Sequence, residues 1–145
     1  GQALSYYNKT KERDIAIITL LLGTGIRVSE LVGLDLSDVD FNNNGVMVTR
    51  KGGSQMVVYF GEEVEKALRN YLETYRKAVT PLAGYENALF LSTQRRRIGV
   101  QAVENMVKKY AKNNPKFITK NHERNENLEE IQLGKWYAGL IGRIS

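Results

Sequence analysis

Residues 13–41 read RDIAIITLLLGTGIRVSELVGLDLSDVDF, and the organisation of the chain is decided there. The run from Ile15 to Leu22 is apolar except for Thr19, so a helix built from it is buried on most of its sides. Gly23-Thr24-Gly25 interrupts that helix. Arg27 to Gly33 (RVSELVG) predicts a second, short helix, with Thr24 as its N-cap. LDLSDVDF then forms a turn-rich link, because Ser37 and Asp38 favour side-chain bonds to the local backbone.

Outward from this stretch the pattern changes twice. Residues 1–11 are polar and read as an extension before the core. Downstream, Gly45–Arg50 (GVMVTR) and Gln55–Phe60 (QMVVYF) are β-rich runs joined by KGGS, whose glycines supply the positive φ that a hairpin needs. From Glu62 to Val79 the residues Val64, Ala67, Leu68, Tyr71, Leu72 and Tyr75 recur at helical spacing. Three glutamates in the first turn and Arg76-Lys77 in the last complement the helix dipole. Thr80–Gly84 reads as a loop, Ala88–Leu91 (ALFL) as a short strand and Gln94–Arg97 as a basic loop. Val100–Lys112 reads as an amphipathic helix with Val103, Val107 and Tyr110 inward. The expected class is therefore mainly α, with a small antiparallel sheet of about three strands. The core spans 12–121 and an atypical tail spans 122–145.

Composition narrows the chemistry. The 145 residues contain no Cys and one His, which excludes disulfide scaffolds, Cys-ligated zinc, thiol nucleophiles and His-rich metal sites. No metal or other cofactor is expected. A hydrophobic share of 42% marks a globular chain. No apolar run is long enough to cross a bilayer and no export leader opens the sequence, so a soluble cytoplasmic domain is expected. The net charge of +5 is concentrated. Residues 91–124 hold nine Lys/Arg against two Asp/Glu, whereas residues 1–90 hold ten against eleven. A basic segment of this kind attracts polyanions, nucleic acid above all; the plainer reading is a solvated helix face beside a basic loop.

Arg27 stands out because it opens a helix packed near the core, and Glu30, three residues on, is within reach to orient it. An Arg–Glu pair that merely fixes the helix start fits the same residues. Lys51, beside Arg50 at the hairpin tip, is placed to swing toward a phosphate or leaving group, or else is an ordinary solvated turn residue. Arg95, Arg96 and Arg97 precede a helix N-terminus, with Lys108 and Lys109 later on that helix; this suits a phosphate backbone or a solubilising loop.

Taken in order, RDIAIITLLLGTGIRVSELVGLDLSDVDF, a hairpin carrying RKGG, a long amphipathic helix, ALFLS, a basic loop and AVENMVKKY resemble the catalytic domain of tyrosine recombinases, the phage-integrase family. The resemblance covers roughly residues 12–120, and its most specific piece is TGIRVSEL at 24–31. It implies metal-free transesterification of double-stranded DNA, in which a tyrosine hydroxyl forms a phosphotyrosyl link. It also implies synapsis with other protomers. It makes Arg27 a phosphate ligand, Lys51 the general acid, and Arg50, Arg95, Arg96, Arg97, Lys108 and Lys109 DNA contacts, with Glu30 in support. The family's second motif, His-x-x-Arg, is matched only by His122-Glu123-Arg124, one residue short. On a regular helix that spacing does not place both side chains on one face, so the resemblance makes His122 and Arg124 catalytic residues that reach the phosphate from an irregular segment. The family's nucleophile follows about thirty residues or more past this box, where Tyr137 comes too early. The chain is therefore expected not to cleave DNA by itself. A non-catalytic DNA-binding module derived from such an element is the alternative, and a helical domain with a protein partner is a third.

Overall fold

The computed structural model describes the backbone of residues 2–113 and the side chains of residues 9–110. Helix α1 runs Gln2–Thr24, unbroken across positions 11–12 where sequence set the start of the core. Ala16, Ile17, Ile18, Leu20, Leu21 and Leu22 are buried on it, as the all-round apolar run requires. Each of the buried Ile and Leu side chains contributes about 1.5–3 kcal/mol by leaving water.

Gly23 does not break α1. It lies close against the next long helix, because a Cβ there would lie 2.7 Å from Val64 Cγ2. The helix stops at Gly25, whose φ of +72° is the left-handed value that favours glycine. The Gly25 N–H still reaches Leu21 O at 2.9 Å. Helix α2 (Val28–Val32) follows, and its N-cap is Arg27 rather than Thr24. The Thr24 hydroxyl instead bonds back to Leu20 O at 2.6 Å, closing the end of α1.

The sheet is three-stranded and antiparallel, in the order β1 (Val39–Asp40), β2 (Gly45–Thr49), β3 (Gln55–Tyr59). Val46 pairs with Val58 and Val48 with Met56, so these four share one face. Val46 and Val48 are fully buried, whereas β3 is an edge strand exposed along most of its length. The expected third strand at 88–91 is not in this sheet. Ala88, Leu89, Phe90 and Leu91 are all buried, but among the described residues the segment makes only single bridges, Asp35 to Ala88 and Leu91 to Arg97. Its neighbours are two different segments, so no ladder forms. The first strand comes instead from the link after α2, where a 3-10 turn (Leu36–Asp38) leads into β1.

Helix α3 (Glu62–Tyr71) continues as a π-helical turn over Leu72–Arg76. Tyr71 and Tyr75 both face inward from it, with ring centroids 5.9 Å apart. The Tyr71 hydroxyl donates to Leu89 O at 2.7 Å and accepts from Leu91 N–H at 3.2 Å. That phenol secures the 88–91 segment, and burial pushes its pKa far above the ordinary value. Arg13, paired with Asp14, also donates to Leu91 O, at 3.2 Å. Residues 1–100 form one compact unit. Of the second unit, 101–145, the structure describes residues 101–113, which belong to helix α4 (Val100–Asn113) with Val103 and Val107 buried. None of the described helices is long and apolar enough to cross a membrane.

Candidate functional site

Arg27 leaves α1 with extended backbone, φ −77° and ψ 153°, and is exposed. Its neighbours anchor it, since Ile26, Val28 and Leu31 are buried. The Glu30 carboxylate reaches back to the Arg27 backbone N–H, Oε1 accepting at 2.7 Å, which supplies one half of a capping box. The i, i+3 spacing suggested that Glu30 meets the Arg27 guanidinium. The structure uses it on the backbone instead, which leaves the guanidinium free of any hydrogen bond or ion pair among the described residues.

Glu30 has a second partner that sequence reasoning missed. Its Oε2 lies 3.4 Å from Arg50 Nε at the base of the hairpin tip. One buried carboxylate therefore joins the start of α2 to the residue before Lys51. No local signal betrayed this pair, because the two residues are twenty positions apart and meet only in the folded chain. Beyond Arg50 the chain turns over Lys51-Gly52, with Gly53 N–H bonded to Arg50 O at 2.9 Å. Gly52 and Gly53 have φ of +94° and +90°. Lys51 sits at the second position of that turn, exposed, with no ion pair among the described residues. The arrangement sets two cationic side chains on segments joined by one carboxylate, with neither cation spent on an acceptor among the described residues.

The opposite end of the hairpin is held differently. Asn44 Nδ2 donates to Glu65 Oε1 at 3.0 Å, Arg69 pairs with the same carboxylate, and the Arg69 guanidinium lies 4.3 Å from the Phe41 ring centroid. Hydrogen bonds from Asn44 and then from Arg69 hold the Glu65 carboxyl below its ordinary pKa.

The basic loop is a tight turn closed by Ser92 N–H to Arg96 O at 2.7 Å. Its three arginines diverge. Arg96 is exposed with no side-chain partner among the described residues. Arg95, at φ +67°, makes one long contact to Thr80 O at 3.4 Å. Arg97 turns inward, donating to Val32 O, Leu34 O and the Asp35 carboxylate. Lys108 and Lys109 lie exposed on α4. His122, Arg124 and Tyr137 lie outside the described residues. Among the described residues no group of His, Cys, Asp or Glu has the arrangement of a metal site.

The model of the phage integrase family matches residues 2–125. The tyrosine recombinase XerS of Streptococcus agalactiae serotype III is 45% identical over 113 residues, which cover 76% of this chain and 32% of that protein. XerS of Streptococcus pneumoniae strain Hungary19A-6 is 43% identical over 114 residues, again 32% of its length. The chain thus spans about a third of the curated relatives it matches. Among solved structures, the crystal structure of XerA recombinase superposes with a TM-score of 0.61 at 31% identity, over 72% of this chain and 36% of that one. The Tn1549 transposon integrase in complex with circular intermediate DNA has a TM-score of 0.53 at 26% identity, over 88% of this chain and 50% of that one. With a matching family model over most of its length and a mainly helical fold with a three-stranded antiparallel sheet, this chain belongs to the phage integrase family, the tyrosine recombinases.

Proposed function

We propose that this domain binds duplex DNA and supplies part of the phosphoryl-transfer site of a site-specific recombinase. The observation that supports this most strongly is the Glu30 bridge, which ties the Arg27 segment to the hairpin tip while leaving the Arg27 and Lys51 side chains without protein counter-ions among the described residues. Arg27 binds the non-bridging oxygens of the scissile phosphate, where a planar fork matches two oxygens at once. It stabilises the extra negative charge of the pentacoordinate transition state. Lys51 gives a proton to the leaving 5′ oxygen as the phosphorus–oxygen bond breaks. The attacking tyrosine forms a bond to phosphorus as that bond is lost, so no external energy source is required. Tyr71 and Tyr75 are buried in the core and do not serve as this nucleophile. Arg50, Arg95, Arg96, Lys108 and Lys109 contact the phosphate backbone. The whole protein acts in the bacterial cytoplasm with other copies of itself at the paired DNA sites.

Binding of a mixed-sequence duplex across a salt series tests this reading. Affinity falls steeply with salt, and Arg96→Ala lowers the slope of log K against log salt by about 0.9, the value for one phosphate contact. A nicked suicide duplex gives no covalent adduct with the 145-residue chain. A salt-independent affinity contradicts DNA binding, and a tyrosine-linked adduct contradicts the expected lack of cleavage.

A further inference from the structure

Sequence groups Arg97 with Arg95 and Arg96, but its guanidinium is committed elsewhere. One terminal nitrogen donates to Val32 O at 3.1 Å and to Leu34 O at 2.8 Å, and the other donates to Asp35. Val32 is the last residue of α2, where a helix leaves carbonyls without intrahelical partners. Arg97 reaches these acceptors from more than sixty positions away. Its own backbone is fixed by the bridge to Leu91, and the next residue, Ile98, is buried with its N–H on Phe90 O.

Helix α2 needs such support. Its five residues fall far below the ~12–15 at which an isolated helix holds together. At about 7.5 Å long, it is short enough that a displacement of one end is carried to the other. Glu30 holds the N-terminal end, where Arg27 stands, and Arg97 holds the C-terminal end. A lysine cannot replace it, because one ammonium does not present a rigid fork to three acceptors. We infer that Arg97 is a positioning residue that clamps α2 from behind and so sets where the Arg27 guanidinium stands, rather than a DNA contact. This rests on the reading of Arg27 as a phosphate ligand.

The test compares Arg97→Lys, Asp35→Asn, Arg27→Ala and the Arg27→Ala/Arg97→Lys pair in the 145-residue chain, with a mixed-sequence DNA duplex as probe. The clamp predicts that Arg97→Lys weakens binding about tenfold despite keeping its charge, as expected for loss of charge-assisted bonds, and leaves the salt slope unchanged. In the Arg27→Ala background the same change costs within about twofold, because both act through one group. Asp35→Asn also weakens binding. Unchanged affinity of Arg97→Lys, or tighter binding by Asp35→Asn, overturns the clamp in favour of a plain phosphate contact. Full additivity with Arg27→Ala overturns it as well. Hydrogen exchange separates this from failure of the DNA reading. Even if the parent chain binds no DNA, Arg97→Lys speeds exchange at Leu31, whose N–H bonds to Arg27 O, while amides within α3 are unaffected. Equal exchange at both places overturns the clamp.

Discussion

Helix α2 and the hairpin tip each carry one of the two proposed active cations, yet they are built in opposite ways. Around α2 everything is fixed: Val28 and Leu31 are buried, Glu30 caps one end and Arg97 holds the other. The tip stands on an exposed edge strand, turns over two glycines with left-handed φ, and is tied back by one half-exposed ion pair, Arg50 to Glu30. The difference follows the chemistry. A phosphate ligand gains from preorganisation, because ordering costs are met during folding. A proton donor has to meet an oxygen whose position changes as the bond breaks, and a compliant tip suits that task.

The contrast breaks most visibly in the core. Leu31→Ala removes a fully buried side chain behind Arg27 and should cost about 2–5 kcal/mol by urea denaturation. Val57→Ala on the exposed strand should stay within about 0.5 kcal/mol. Comparable losses would mean that the hairpin is as integral to the core as α2. Next in size, Gly23→Ala forces a methyl against Val64 Cγ2 and should cost about 1–3 kcal/mol through overpacking, although alanine is the better helix former. At the tip, Gly52→Ala meets no neighbour within 4 Å, so its cost is the left-handed backbone alone, about 1–2 kcal/mol.

Smaller still is Glu30→Gln, which keeps an oxygen for the Arg27 N–H but loses the charge that holds Arg50. Since Arg50 is half exposed, stability should change by less than about 1 kcal/mol. Amide exchange at Gly53 should nevertheless rise while Leu31 stays protected. The smallest effect concerns the far end of the hairpin. The folded pKa of Glu65 lies below its ordinary value of 4.5, so its stabilising contribution is full above that pH and is lost as pH falls through the depressed folded value. Asn44→Ala removes the largest cause of the depression and should flatten that acid limb of the stability curve. An unchanged limb would show that Asn44 does not anchor this end.

Much of this was legible in the chain. The all-round apolar run 15–22, the hairpin glycines and the periodicity of Val64, Leu68, Tyr71 and Tyr75 carry their signals locally, and each became the element they implied. Thr24 was misread as a cap because Ser/Thr hydroxyls serve either end of a break, and only the backbone at Arg27 shows which helix it closes. ALFL passed for a ladder strand because burial on all sides resembles a central strand. Arg97 looked like its two neighbours because direction in a tight turn changes residue by residue. The links that shape the site, Glu30 to Arg50 and Arg97 to α2, join positions distant in sequence, and no period or spacing encodes them.

Phosphoryl transfer at this site requires the Arg27 and Lys51 side chains to meet over one phosphate-sized space. The chain contains no cysteine, so Arg27→Cys and Lys51→Cys together introduce the only two thiols. With a short bifunctional thiol reagent in dilute solution, rapid closure within a single chain is expected, slowed when Glu30→Gln releases the tip. Bridging only between chains would place the two groups on different sides of the molecule and contradict it.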